Sequence, residues 1–210
     1  MPSKERPILF SAPMIRAIIE GRKSMTRRIV KGLDGSEWET TLLENGRWEE
    51  AIKSPWHKGM NLWVRENFVH FGNESDGVFS PVRSLIKYCA DNKTERMGEW
   101  KTFNHAPVRK EWAQGKSNVI PSIFMPRWAS RINLEITEVK VERLQEISEE
   151  DAVKEGMQTM PLAHCQRWTP ELTFTITNKS IFMTLWNCIN KKNPWASNPW
   201  VWCISFVRVK

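Results

Sequence analysis

Hydrophobic residues recur along this chain at spacings that predict three helices. The first helix is predicted over 10–21, where apolar residues repeat every three or four positions. A short second helix is predicted in ISEEDAVKEGM (147–157), where Ser148 and Asp151 fit a capping box. A third is predicted in NKSIFMTLWNCINK (178–191), which carries one apolar stripe.

Alternating apolar and polar residues predict more strands than helices. The candidates are NLWVRENFVH (61–70), SLIKYCA (84–90), INLEITEVKVERL (132–144) and NPWVWCISFVRV (198–209). In 132–144 the apolar residues change phase near Thr137–Glu138, which indicates a bulge or a corner in a curved sheet. Several strands with short helices favour an α+β fold, in which helices close the ends of a curved sheet or small barrel.

Two segments, 31–60 and 71–118, are polar, contain several glycines and show no clear period. We interpret them as insertions into a single domain that spans residues 1–210. No apolar run reaches the ~18 residues that a membrane span requires, and no secretory signal is evident. A cytoplasmic protein without contact to a membrane is therefore expected.

The composition points to polyanionic partners. The net charge is +7, which favours nucleic acid as a partner, and some of the 12 tryptophans are candidate stacking platforms for bases. The four histidines and four cysteines match no metal-binding spacing. No metal or other cofactor is expected.

The most basic short stretch is EGRKSMTRR (20–28), directly after the first predicted helix. Gly21 suits the left-handed conformation that often ends a helix. The cations of the stretch are Arg22, Lys23, Arg27 and Arg28. Three interpretations are open: a solvated turn, a grip for phosphate, and the chemical centre of an enzyme.

A second basic and aromatic group is predicted to contact nucleic acid. Its members are Arg65, in the 61–70 strand, and Arg127 and Trp128, in the proline-bounded PSIFMPRWASR (121–131). For Trp128, a core position is the alternative. Arg131 follows the same pattern, or it forms an ion pair within the fold.

Glu66 occupies the more apolar face of the 61–70 strand. A carboxylate that is buried there needs a partner, because a lone buried charge is costly. An arginine of EGRKSMTRR is the candidate partner.

Several segments, in the same order along the chain, resemble those of ASCH domains, which belong to the PUA-like superfamily. Gly21 to Arg28 resembles the signature G-x-K-x-x-T-x-R of that family. The other matching segments are LWVRENF (62–68), ISEEDAVKEGM (147–157) and WVWCISF (200–206). PSIFMPRWASRI (121–132) looks like the version found in phage and prophage proteins.

The resemblance implies a small β-barrel with helices near its mouth and a cleft for RNA or nucleotides. The chain is also similar to small bacterial amidohydrolases that remove the acetyl group from N4-acetylcytidine. In those enzymes a lysine and a threonine of the signature act with a glutamate. The matching residues here are Lys23, Thr26 and Glu155, with Glu149 and Glu150 as neighbouring alternatives to Glu155.

These features support three hypotheses about function. The first is a module that binds nucleic acid, RNA above all, or a modified nucleotide through a basic cleft at the signature. The second is a hydrolase. In an amidohydrolase Lys23 activates Thr26 and Glu155 protonates the leaving amine; in a ribonuclease Lys23 stabilises the anionic transition state. The third is a phage structural or assembly protein that uses its tryptophan-rich insertions.

Overall fold

The computed structural model describes residues 5–32, 45, 52–71, 74–75, 78–79, 84–97, 119–158 and 177–209. The strands in these ranges are β1 (Arg6–Leu9), β2 (Met25–Ile29), β3 (Asn61–Arg65), β4 (Phe68–Phe71), β5 (Glu74–Ser75), β6 (Val78–Phe79), β7 (Ser84–Tyr88), β8 (Thr94–Met97), β9 (Val119–Ile120), β10 (Asn133–Arg143) and β11 (Trp200–Val209). The α-helices in the same ranges are α1 (Ala12–Ile19), α2 (Glu149–Lys154) and α3 (Asn178–Ile189). This mixture confirms the α+β class, and closure into a barrel stays a prediction.

The chain divides into two compact units. The first unit comprises Met1–Ile19, Asn61–Leu134 and Arg208–Lys210, and the second comprises Glu20–Met60 and Glu135–Val207. The predicted insertions at 31–60 and 71–118 lie largely outside the described residues. Their status as insertions into one domain also stays a prediction.

In the first unit, β1 pairs in parallel with β3, and Leu9 lies opposite Arg65. A separate antiparallel sheet has the strand order β8-β7-β4-β9, and its β7 strand confirms the prediction for SLIKYCA. The core of this unit contains Phe68, Ile86, Tyr88, Met125 and Ala129. Burial of these apolar side chains is the main stabilising contribution.

Two segments of the first unit are each divided into two elements. The 61–70 strand is interrupted at Glu66 and Asn67, so that it forms β3 and β4. PSIFMPRWASR forms two 3-10 turns, Ser122–Phe124 and Arg127–Ala129, each directly after a proline. Proline has no N–H to contribute and a fixed φ, so it suits the start of such a turn.

In the second unit, three strands lie in the order β10-β11-β2, and β11 pairs antiparallel with β2. Residues Trp200 to Ile204 of β11 are all buried, as expected for a strand without charge until Arg208. Along β10 the buried residues are Leu134 and Ile136 and then Val141. The predicted change of phase is therefore confirmed.

Helices α2 and α3 belong to the core of the second unit. That core contains Leu144, Ile147, Ala152, Phe182, Trp186, Val201 and Cys203. The N-cap of α2 is Ser148, whose side chain accepts a hydrogen bond from the Asp151 amide at 3.0 Å. Gly156, with φ +90°, follows the helix. Among the described residues, no helix combines the length and the apolar character needed to cross a membrane.

Candidate functional site

The basic segment 20–28 is fixed in place by backbone hydrogen bonds on both sides. Gly21 has φ +75°, which lets the chain turn after α1. The Ser24 amide donates to the Lys154 carbonyl at 2.9 Å, and the Phe206 amide donates to the Ser24 carbonyl at 2.8 Å. Lys23 forms an isolated antiparallel bridge with Glu155. The segment is thus held between the end of α2 and strand β11.

Lys23 and Glu155 form a buried ion pair. The Lys23 Nζ lies 2.6 Å from Glu155 Oε2, and the side chains are 0% and 3% exposed. Nζ also donates to the carbonyl oxygens of Met25 at 2.7 Å and Glu155 at 2.9 Å. An ammonium has three N–H donors, so these three acceptors satisfy it completely.

The surroundings of Lys23 lower its pKa below the ordinary lysine value. Removal from water is the largest cause, and the positive charges of Arg28 and Arg27 act in the same direction. The carboxylate of Glu155 opposes them. Lys23 therefore gives up its proton more readily than a solvated lysine, which is the direction that a general base requires.

We expect the Lys23 ammonium to titrate below the usual lysine pKa of about 10.4. Lysine-selective NMR, with the Lys23→Met variant used to assign the Nζ resonance, measures this pKa directly. A Lys23 pKa at or above that of a free lysine would contradict the account of its burial.

Arg27 points into the interior of the second unit. Its guanidinium is 0% exposed and pairs with Glu142 Oε1 at 2.5 Å, with Asp151 Oδ2 at 2.9 Å and with Glu155 Oε1 at 3.4 Å. It also lies 5.9 Å from the centre of the Phe182 ring. Arg27 is thus engaged by three carboxylates within the protein, and its predicted contact with nucleic acid stays a prediction.

Thr26 and Arg28 lie on the other face of β2, because successive side chains of a strand point to opposite sides. Thr26 is 3% exposed, and its backbone lies opposite Ile204 of β11. Arg28 is half-buried, and burial lowers its pKa despite the attraction of Glu155.

Arg22 is the most exposed cation of the segment. Its side chain is 39% exposed and forms an ion pair with Glu20. It also donates to the Gly156 carbonyl at 3.2 Å, so it is held beside the end of α2. The structure therefore brings Lys23 and Glu155 into contact and leaves Arg22 accessible from solvent.

The structure is similar to that of an ASCH domain. The matching crystal structure is of an ASCH domain from Lactobacillus crispatus, and the match covers 98% of this chain and 79% of that one. The sequence identity is 13% and the TM-score is 0.36. No family model matches the chain, and no curated protein matches it.

The other predicted contacts for nucleic acid belong to the first unit. Arg65 lies 4.6 Å from the centre of the Trp63 ring, and Arg127 lies 5.9 Å from the same ring. Arg127 also pairs with Glu5 at 2.6 Å. Trp128 is 37% exposed. Lys23, Thr26 and Glu155, in contrast, belong to the second unit.

Glu66 has the partner that its burial demanded, but the predicted identity of that partner was wrong. Arg131 donates two hydrogen bonds to the Glu66 carboxylate, one from Nε at 2.8 Å and one from Nη2 at 2.9 Å. Arg131 also pairs with Asp91 at 2.8 Å and lies 3.9 Å from the centre of the Tyr88 ring. Arg131 thus forms an ion pair within the fold, the second of the two predicted alternatives.

Sequence reasoning missed Glu142 and named Asp151 only as a capping residue. Both hold Arg27 across large distances in the sequence, and no local pattern marks such a partner. In the described ranges, no three His, Cys, Asp or Glu side chains converge in a way that could hold a metal ion.

Proposed function

We propose that this chain binds RNA or a modified nucleoside at the segment 20–28. The observation that carries the proposal is the buried pair of Lys23 and Glu155, 2.6 Å apart within the second unit. A buried ion pair is weak support for stability, since apolar residues of similar volume often serve as well. Strongly perturbed ionisable groups concentrate at functional sites. The resemblance of Gly21–Arg28 to the ASCH signature points to the same segment.

Each polar side chain has a role in the proposed site. Arg22, which is accessible, supplies a guanidinium for a phosphate, and Arg28, whose charge acts on Lys23, adds positive charge to the site. Thr26 supplies a hydroxyl to the base or the sugar. Arg27 holds Glu155 through the contact at 3.4 Å.

The overall charge supports a polyanionic ligand. At a net charge of +7, association with RNA is favoured electrostatically. Binding through phosphates releases counterions, so the affinity should fall steeply as salt is raised.

The Arg22→Ala variant should bind a short single-stranded RNA about tenfold more weakly, because a hydrogen bond to a charged group contributes about 1.5–3 kcal/mol. Fluorescence anisotropy at 50 mM salt, a value chosen from the usual low-salt range, measures the dissociation constant. Lys191→Ala, an exposed cation beyond α3, removes the same charge elsewhere. An equal loss in both variants would mean that general charge, and not this site, binds the RNA.

A second candidate function is hydrolysis of an acylated nucleoside. The lowered pKa of Lys23 and its contact with Glu155 favour it. In this scheme Lys23 first passes a proton to Glu155 across their 2.6 Å contact. Neutral Lys23 then removes the Thr26 hydroxyl proton, Oγ1 bonds to the acyl carbon, and the bond from that carbon to the exocyclic nitrogen breaks. Glu155 supplies the proton to the leaving amine, and water then hydrolyses the ester. One hydrogen bond to Lys23 has to open before its lone pair can act.

Release of cytidine from N4-acetylcytidine tests this scheme. Thr26→Ser keeps a hydroxyl and should retain turnover, whereas Thr26→Val, of similar shape, should abolish it. Binding of the nucleoside by both variants serves as the control for an intact site. If the unmodified chain binds N4-acetylcytidine but releases no cytidine, the proposed binding function stands and this reaction is excluded.

A further inference from the structure

The first unit carries a second basic surface on β1, β3 and the two 3-10 turns of 122–129. Two guanidinium groups lie against one aromatic ring there: Arg65 at 4.6 Å and Arg127 at 5.9 Å from the centre of Trp63. The Arg65 Nη1 also donates to the Ile123 carbonyl at 3.3 Å. These contacts connect β3 with both turns, so the residues form one continuous surface.

Large apolar side chains of the same segments are exposed. Ile123 is 59% exposed, Leu9 is 44% exposed and Trp128 is 37% exposed. Leu9 is the register partner of Arg65, and Trp128 directly follows Arg127. Leu9 is thus paired with a cation across the sheet and Trp128 adjoins one along the chain, a combination that suits a strand with both phosphates and unstacked bases.

The two arginines can exchange their present partners for a phosphate. The pair between Arg127 and Glu5 is on the surface, with side chains 41% and 43% exposed, and exposed pairs of this kind contribute little to stability. Arg65 is half-buried, and its exposed Nη1 donates to the Ile123 carbonyl over a long 3.3 Å, so a phosphate oxygen can replace that acceptor.

We propose that this Arg–Trp surface (Arg65, Arg127, Trp128 and Ile123) binds single-stranded nucleic acid. Arg127 and Arg65 contact phosphates, and Trp128 with Ile123 receives an unstacked base. A duplex keeps its bases stacked and offers no flat face to Trp128, so a single strand is the better partner. The inference shares its class of partner with the proposed function but depends on residues of the other unit.

Binding of a labelled 12-nucleotide oligouridine, a length chosen from the usual site sizes of single-strand binders, tests the inference. Trp128→Ala should weaken binding about tenfold, the lower part of the range for loss of one stacked base, and should leave the salt dependence unchanged. Arg127→Ala should also weaken binding and should reduce the slope of log K against log salt by about 0.7, the loss of one phosphate contact to a single strand.

Two variants of the second unit are matched controls. Ile189→Ala removes an apolar side chain that is 53% exposed, and Lys192→Ala removes an exposed positive charge. Both should leave oligouridine binding unchanged. Equal losses from these controls, or equally tight binding of duplex RNA that is insensitive to Trp128→Ala, would overturn the inference.

The same titrations separate this inference from the proposed function. Weaker binding by Arg22→Ala together with unchanged binding by Arg127→Ala and Trp128→Ala would overturn the Arg–Trp surface alone. The reverse result would support this surface and place RNA binding away from segment 20–28. Photo-crosslinking of 4-thiouridine RNA should label the peptide that contains Trp128, and labelling confined to peptides of the second unit would also overturn the inference.

Discussion

Replacing Glu155 with glutamine should lower the free energy of unfolding by about 3–5 kcal/mol, because it leaves the buried Lys23 ammonium without its carboxylate partner. Lys23 loses a carboxylate at 2.6 Å, and Arg27 loses one at 3.4 Å. Both cations have side chains that are 0% exposed, so water cannot replace the lost charge. Glutamine keeps the shape of the side chain, which assigns the effect to charge and not to a cavity.

Urea denaturation of the variant and the unmodified chain measures this difference. Glu150→Gln, on the exposed side of the same helix α2, is the matched control and should change stability by less than about 0.5 kcal/mol. A small effect of Glu155→Gln, similar to that of the control, would show that Lys23 is not charged in the folded state.

A double-mutant cycle separates the pair from its surroundings. Lys23→Met removes the other partner of the ion pair. The double variant with Glu155→Gln should lose less free energy of unfolding than the sum of the losses in the two single variants. Arg27 retains Glu142 and Asp151 in every member of the cycle. The coupling energy therefore reports the Lys23–Glu155 contact itself.

The sequence predicted the local features of the second unit because they depend on neighbouring residues. The cap at Ser148 is set by residues within one turn, and the change of phase in β10 is visible in the alternation of its side chains. The prediction that Glu155 accompanies Lys23 has another origin, since it came from the resemblance to ASCH domains. These two residues are 132 positions apart, and no periodicity connects them.

The partners of the arginines could not be predicted from the sequence. Arg27 and Glu142 are 115 positions apart, and Arg131 and Glu66 are 65 apart. Four cations in nine residues look like a solvated patch, yet Arg27 is enclosed because β2 directs it toward the carboxylates of β10 and α2. Which arginine faces the interior depends on the pairing of β2 with β11, and that register is a tertiary property.

Replacing Arg131 with methionine should also lower the free energy of unfolding by about 3–5 kcal/mol near neutral pH, since Glu66 then becomes a lone buried charge. The Glu66 side chain is 2% exposed, and Arg131 is its partner at 2.8 and 2.9 Å. Burial already raises the pKa of Glu66, while Arg131 lowers it. Without Arg131 the pKa should rise further, and the carboxyl should become protonated at a higher pH.

This change predicts a pH dependence with a definite sign. A carboxyl whose pKa is higher in the folded state than in the unfolded state contributes stability at low pH, and that contribution is lost as the pH rises through the folded value. The loss in free energy of unfolding caused by Arg131→Met should therefore be largest near pH 8 and should decrease toward pH 4. Denaturation of both chains across this range measures it, and Glu66→Gln combined with Arg131→Met should remove most of the dependence. A stability loss from Arg131→Met that becomes larger as the pH falls would show that Glu66 does not titrate in this way.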